Sequence, residues 1–117
     1  TNSLNTFYST AGGRGDAQIT ANHLALYEIG DTRKAFFTTS AGLTYTAKFD
    51  IKFGNFHFIR LAEMYLTRAE ANFRLSSSVG DAVVNDVNKI RSRVKLPLFA
   101  ATDVTLDKII KERKLEL

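Results

Sequence analysis

The stretch FIRLAEMYLTRAEA, residues 58–71, decides the fold of this chain. On a helical wheel that advances about 100° per residue from Ile59 and is continued to Leu75, most of the apolar residues share one face. That face consists of Tyr65, Ala69, Ala62, Phe73, Leu66 and Ile59. A second apolar ridge runs along the other side and consists of Met64, Ala71, Leu75 and Leu61. A helix that is apolar on two sides usually packs between neighbours, so the pattern predicts stacked helix pairs.

A second helix is predicted over DAVVNDVNKIRSRV, residues 81–94. Its apolar residues recur at helical spacing and form one narrow stripe of Val83, Val87, Ile90 and Val94. The preceding SSSVG, residues 76–80, is typical of a turn, and Asp81 is a suitable N-cap. A short connection and a single stripe together predict an antiparallel helix hairpin.

A third helix is predicted after a break at Pro97, because proline cannot continue a helix. Thr105 is positioned to cap this helix, and Asp107 lies near the N-terminus, where a carboxylate favours the helix dipole. The predicted apolar face consists of Leu106, Ile109, Ile110 and Leu117.

The first half of the chain has a different composition. Ten of the thirteen Phe and Tyr residues lie at or before Phe58, and six of the seven glycines lie at or before Gly54. Thr, Ser, Asn and Gly are frequent there, and these residues favour turns and loops. We therefore predict a loop- and strand-rich segment at 1–55, followed by a helical segment at 56–117.

Three local structures are predicted within the first half. KFDIKF, residues 48–53, alternates apolar and polar residues with period two, which is typical of a half-buried strand. AFFTTS, residues 35–40, is a candidate second strand with a loop around Ala41-Gly42. ANHLALYEIGD, residues 21–31, is predicted to form a short helix that ends at Gly30.

The length, residue composition and net charge of the chain exclude several classes of function. The chain of 117 residues has no cysteine and only two histidines, His23 and His57, so we expect no metal site and no cofactor. The net charge is +4, but basic and acidic residues are interspersed, which argues against a nucleic-acid partner. No apolar run approaches the roughly 20 residues that span a bilayer. The chain lacks an initiator Met and stops within a predicted helix, so we interpret residues 1–117 as a fragment of a single domain.

Glu63 and Glu70 are the strongest candidates for acid–base catalysis. They lie one above the other on the predicted helix, roughly 10 Å apart along its axis. Two groups on one helix face the same way, however, whereas glycoside hydrolysis needs carboxyl groups that flank the scissile bond. Arg60 and Arg74 are spaced to pair with them, and Arg91 could reach either glutamate from the next helix. Structural ion pairs explain these residues more simply, and we predict no catalytic residue and no enzyme.

Other candidate sites have simpler interpretations. GGRGD, residues 12–16, contains the tripeptide that integrins bind, but it lacks the Lys-Ser/Thr of a phosphate loop, so we interpret it as a flexible loop. Most aromatic residues between positions 36 and 58 are expected to be core, with Tyr27 and Tyr45 the tyrosines best placed to test for ligand contact. Both histidines are expected to be ordinary hydrogen-bonding side chains.

The order of several motifs resembles the C-terminal part of the SusD/RagB family. These motifs are LYEIGDTRKAFF, YTAKF, IRLAEMYLTRAEA, a turn with GDA, VNKIRSRVKLP and TLDKIIKERKLEL. The resemblance covers residues 26–117 and departs from the family pattern at Val94-Lys95, where Ala-Gly is usual. Members of the family are nutrient-binding lipoproteins of the outer membrane in Bacteroidetes.

The resemblance implies a mainly α fold of tetratricopeptide-like helix pairs, a SusD-like α-α superhelix, with a small strand and loop region in the N-terminal half. It implies capture of glycan at the cell surface and delivery to a TonB-dependent transporter of the SusC type. Membrane attachment would be only through a lipid anchor outside this chain. The residues that contact glycan remain unknown, since none corresponds by motif. The alternative is a tetratricopeptide-like module that binds proteins and no small molecule.

Overall fold

The computed structural model describes residues 3–55, 57–76 and 79–117. Within these ranges the chain is mainly helical, as predicted, and contains five α-helices: α1 Ser3–Tyr8, α2 Ala21–Leu24, α3 Leu61–Ser76, α4 Asp81–Arg93 and α5 Leu106–Glu116. The N-terminal half also holds a small antiparallel sheet of β1 Phe37–Ser40 and β2 Leu43–Thr46. Short 3-10 helices lie at Thr32–Phe36, Ala47–Phe49 and Ala101–Asp103.

The chain divides into two compact units. The N-terminal unit comprises Thr1–Glu28 and Thr32–Phe56, and the helical unit comprises Ile29–Asp31 and His57–Leu117. The helical unit contains α3, α4 and α5, and α3 packs against both of the other helices. Each unit is therefore considered by itself below.

The core of the helical unit follows the predicted stripes. Val83, Val87 and Ile90 of α4 and its C-cap residue Val94 are all buried, which confirms the stripe. Ala69 of α3 is completely buried and joins Val87 and Ile109 in one apolar cluster. Because alanine is small, it lets valine and isoleucine side chains from two helices meet at this point of α3.

The second apolar ridge of α3 is exposed, so the prediction that both sides of this helix are packed is wrong for the described residues. Leu61, Met64 and Leu75 are 70%, 48% and 85% exposed. Both neighbouring helices contribute to the cluster around Ala69, which places them on the same face of α3. That arrangement leaves the ridge facing solvent.

The helix starts differ in how well they were predicted. Thr105 caps α5 as expected, since its Oγ1 accepts a hydrogen bond from the Lys108 backbone at 3.3 Å. The N-cap of α4 is Gly80 rather than Asp81, which is the first helical residue and lies where a carboxylate favours the helix dipole. In the predicted turn at 76–80, residues 77 and 78 lie outside the described part of the chain.

The buried face of α5 is not the predicted one. Ile109 is buried, but Ile110 and Leu117 are 42% and 45% exposed. The buried face instead includes Glu112 and Glu116. Both glutamates form ion pairs with arginines of α4, which makes their burial possible, and a pattern of apolar residues alone cannot reveal such a face.

The sheet of the N-terminal unit is a tight hairpin. Ala41 and Gly42 have φ values of +50° and +79°, as a two-residue hairpin turn with both central residues in the left-handed region requires. This confirms the loop at Ala41-Gly42 and the strand from Phe37 onward. The partner strand is Leu43–Thr46, with Phe37 opposite Thr46.

The strand predicted over residues 48–53 is wrong. Thr46 caps the 3-10 helix Ala47–Phe49 by accepting a hydrogen bond from the Lys48 backbone, and the chain then leaves the sheet. Ile51 and Phe53 are 75% and 81% exposed rather than half-buried. The local hydrogen bond from the Lys48 backbone to the Thr46 side chain competes with a strand ladder, and period-two alternation does not detect it.

The helix predicted over residues 21–31 is much shorter than expected. Thr20 caps α2, which ends at Leu24, well before Gly30. Beyond it, the Leu26 backbone donates to His23 and the Tyr27 backbone to Leu24, and these tighter turns replace the α-helical pattern. The turns place Tyr27 in a buried contact with Phe37, at 5.3 Å between ring centroids.

The GGRGD loop packs onto α1. The Arg14 backbone donates to the Thr6 carbonyl at 2.7 Å, and the Asp16 backbone donates to the Phe7 carbonyl at 2.8 Å. A Cβ atom on Gly13 would lie 2.2 Å from the Asn5 carbonyl oxygen. Glycine is therefore required at position 13 by the close approach of two backbone segments.

We expect Gly13→Ala to lower the free energy of unfolding of the N-terminal unit by about 1–3 kcal/mol, because the added methyl overlaps backbone oxygen atoms that cannot move independently. Thermal denaturation followed by near-ultraviolet circular dichroism of the tyrosines measures this effect. Gln18→Ala, at an exposed position of the same segment, is the control and should change little. Equal melting of the two variants would contradict the close approach.

Candidate functional site

Glu63 and Glu70 are held by an arginine from another helix. Arg113 of α5 lies between them, with one guanidinium nitrogen 3.7 Å from Glu63 Oε1 and another 3.7 Å from Glu70 Oε2. Arg113 also donates to Thr67 Oγ1 at 3.0 Å. Both carboxylates therefore take part in an ion-pair cluster that joins α3 to α5.

The predicted partners of these glutamates are partly correct. Arg74 donates from Nε to Glu70 Oε1 at 2.8 Å, which confirms the pair four residues apart on α3. The predicted pairs of Glu63 with Arg60, and of Arg91 with either glutamate, are wrong. Arg113 contacts both glutamates instead, and nothing in its spacing along the chain favours it over nearer arginines.

Arg91 forms a buried ion pair with Glu112. Its Nη1 donates to Glu112 Oε1 at 2.6 Å, and both side chains are only 2% exposed. The same guanidinium donates from Nε to the Pro97 carbonyl at 2.7 Å and lies 3.8 Å from the centroid of the Phe99 ring. Arg91 therefore ties α4 to α5 and to the segment that connects them.

Two further arginine–carboxylate pairs link the helices. Arg68 of α3 binds the buried Asp86 of α4 with two hydrogen bonds of 2.8 and 2.7 Å. The hydrogen bonds that Arg68 donates to Asp86 raise the pKa of Arg68. Arg93 of α4 binds both carboxylate oxygens of Glu116 at 2.5 Å. Sequence reasoning missed both pairs, although a lone aspartate beside the valine stripe of α4 was an available signal.

A pocket of about 360 Å³ opens between the three helices of the helical unit. It is lined by Arg60, Leu61, Ala62, Tyr65, Lys89, Ile90, Arg93 and Glu116. The lining combines an apolar part with three cationic side chains and one carboxylate. Its volume lies within the range of about 300–1,000 Å³ that is usual for small-molecule sites.

The two tyrosines singled out for ligand contact are buried. Tyr27 and Tyr45 are 7% and 8% exposed, and the Tyr27 hydroxyl lies 3.3 Å from His23 Nε2. Their positions fit core residues and not a surface platform. Phe53, in contrast, is exposed, which corrects the expectation that it belongs to the core.

The structure also shows where the charged side chains of the GGRGD loop lie. Arg14 and Asp16 of the GGRGD loop form an ion pair with each other, and the Arg14 guanidinium lies 5.1 Å from the centroid of the Phe7 ring.

Among the described residues, no group of three or more His, Cys, Asp or Glu side chains could hold a metal ion. None of the helices in the described ranges has the length and hydropathy needed to cross a membrane.

The protein is mainly helical, and the carboxylates between its helices, within the described residues, form ion pairs with arginines. The chain belongs to the SusD family, whose family model matches residues 14–117. No curated protein and no solved structure matches the chain. The family match extends from the GGRGD loop through α5, so it includes both the pocket and the ion pairs described above.

Proposed function

We propose that the chain belongs to a non-catalytic cell-surface protein that captures oligosaccharides and delivers them to a TonB-dependent outer-membrane transporter of the SusC type. The observation that carries this proposal is the match to the SusD family over residues 14–117. Capture of glycan for nutrient uptake is the function associated with that family. The protein would act at the outer surface of the outer membrane as a lipoprotein.

The geometry of α3 supports a binding function over catalysis. Glu63 and Glu70 are the carboxylates that sequence reasoning singled out for acid–base chemistry, and Arg113 pairs with both. Their distances to its guanidinium, 3.7 Å in each case, indicate charge neutralisation within the helical unit. Neither glutamate is in the lining of the pocket between the helices.

We expect the full-length protein to bind at least one class of oligosaccharide saturably on a glycan array, and free oligosaccharide of the same class to compete for it. Co-purification from detergent-solubilised outer membranes with a TonB-dependent transporter tests delivery. Absence of binding to every glycan, combined with stable capture of another protein, would contradict the proposal and support the tetratricopeptide-like interaction module instead.

A further inference from the structure

The pocket of the helical unit carries an excess of positive charge that the fold does not use. Among the described residues, Arg60 and Lys89 line the pocket and form no ion pair. Sequence spacing would pair Arg60 with Glu63, but Glu63 is bound by Arg113 from α5. Arg60 is therefore left at the pocket with its charge available.

The single carboxylate in the lining does not cancel this excess. Glu116 contacts Arg93 through both of its oxygens, and its side chain is only 6% exposed. The Arg93 side chain is 56% exposed, so solvent contacts the cation of this pair far more than its carboxylate. An anion entering the pocket would approach the guanidinium of Arg93 and not the buried carboxylate.

The rest of the lining suits a sugar ring. Leu61 and Ile90 supply apolar surface, and Tyr65 adds a phenol that combines an aromatic ring with a hydroxyl group. Carbohydrates present apolar C–H faces together with hydroxyl groups, and aromatic residues with a polar end match both. Arginine in turn recognises carboxylate and sulfate groups through two parallel hydrogen bonds.

We propose that this pocket binds a glycan residue that carries an anionic group, either a carboxylate or a sulfate. Arg60 and Lys89 would contact the anionic group, and Tyr65 with Leu61 and Ile90 would contact the ring. This inference rests on the proposed function and specifies its substrate class, since it distinguishes acidic from neutral glycans.

Isothermal titration calorimetry on the full-length protein tests the proposal with a polyglutamate peptide for comparison and with three saccharide probes. These are a galacturonic acid trimer, the same trimer with its carboxylates methyl-esterified, and a sulfated galactose oligosaccharide. We expect at least one anionic probe to bind roughly tenfold or more tightly than the esterified trimer, because removal of the charge removes charge-assisted hydrogen bonds. Affinity for that probe should fall as salt is raised.

Arg60→Gln combined with Lys89→Gln should weaken binding of the anionic probe by roughly tenfold or more. Lys114→Gln is the matched control, since it removes a positive charge from an exposed position of α5 outside the pocket lining. Circular dichroism of each variant checks that the helices are retained, as expected for side chains outside the core.

Three results would overturn the proposal. The first is that neither the charged trimer nor the sulfated oligosaccharide binds more tightly than the esterified trimer, which would leave the protein a neutral-glycan binder and the proposed function intact. The second is an equal effect of the pocket variant and Lys114→Gln. The third is a polyglutamate peptide that binds as tightly as the anionic sugar, which would assign the pocket to acidic peptides. Absence of binding to any saccharide would contradict both this proposal and the proposed function.

Discussion

Arg91→Ala is expected to lower the free energy of unfolding of the helical unit by about 3–5 kcal/mol, because it leaves the Glu112 carboxylate charged and buried. Both side chains of the pair are 2% exposed, so water cannot replace the lost guanidinium without opening the structure. The substitution also removes the hydrogen bond to the Pro97 carbonyl and the contact with Phe99. Urea denaturation followed by far-ultraviolet circular dichroism measures the effect.

Arg74→Ala is the control for Arg91→Ala. Arg74 pairs with Glu70 four residues away on the same helix, and its side chain is 56% exposed, so its loss should cost about 0.3–0.5 kcal/mol. A double variant, Arg91→Met with Glu112→Leu, should recover much of the stability lost in Arg91→Ala, because no unpaired charge remains buried. An unchanged midpoint for Arg91→Ala would show that the pair does not hold α4 to α5.

Leu66→Ala is expected to lower the free energy of unfolding of the helical unit by about 2–5 kcal/mol. Leu66 is completely buried, so its truncation removes apolar contacts and leaves a cavity that the surrounding helices fill only in part. Thermal and urea denaturation of the variant measure this effect.

Leu75→Ala provides a matched comparison with Leu66→Ala, since it makes the same substitution in the same helix. Leu75 is 85% exposed, and its loss should change stability by less than about 0.5 kcal/mol. The two variants remove the same atoms, so the difference between them mainly reports the burial of Leu66. Equal destabilisation by the two would mean that the second ridge of α3 is packed as firmly as the first.

In the helical unit, a buried helix face was predicted correctly from the sequence only where that face consists of apolar residues. The stripe of α4 was predicted correctly because its buried residues are valine and isoleucine at helical spacing. On α5 the buried face includes Glu112 and Glu116, which become compatible with burial only when Arg91 and Arg93 approach from another helix. Such long-range pairing is not visible in the periodicity of one segment.

The N-terminal unit shows a second reason for failure. The strand predicted over residues 48–53 rested on alternation alone, whereas the structure follows a local hydrogen bond that the Lys48 backbone donates to the Thr46 side chain. The loop at Ala41-Gly42 was predicted because its signal is a turn residue whose backbone preference acts locally, whereas the partner strand Leu43–Thr46 was not predicted. Local signals predicted the turn correctly because they favour one conformation there. They failed at residues 48–53, where a strand and a capped 3-10 helix compete.

At the candidate site, too, the local contact was predicted correctly and the contacts between distant parts of the chain were not. Sequence reasoning assigned Glu63 and Glu70 to ion pairs and correctly paired Glu70 with Arg74. It did not identify Arg113, which lies more than forty residues along the chain from both glutamates. The pocket could not be predicted either, since its lining comes from three helices and depends on how they pack.

The most direct test of the account is calorimetry of the full-length protein with the oligosaccharide that binds best, followed by chromatography of the recovered saccharide. The Glu63→Gln/Glu70→Gln double variant is measured in parallel. We predict saturable binding with unchanged affinity in the variant, and saccharide recovered intact from both proteins. Cleavage of the saccharide by the natural protein but not by the variant would contradict a non-catalytic binding function and return these two glutamates to an acid–base role.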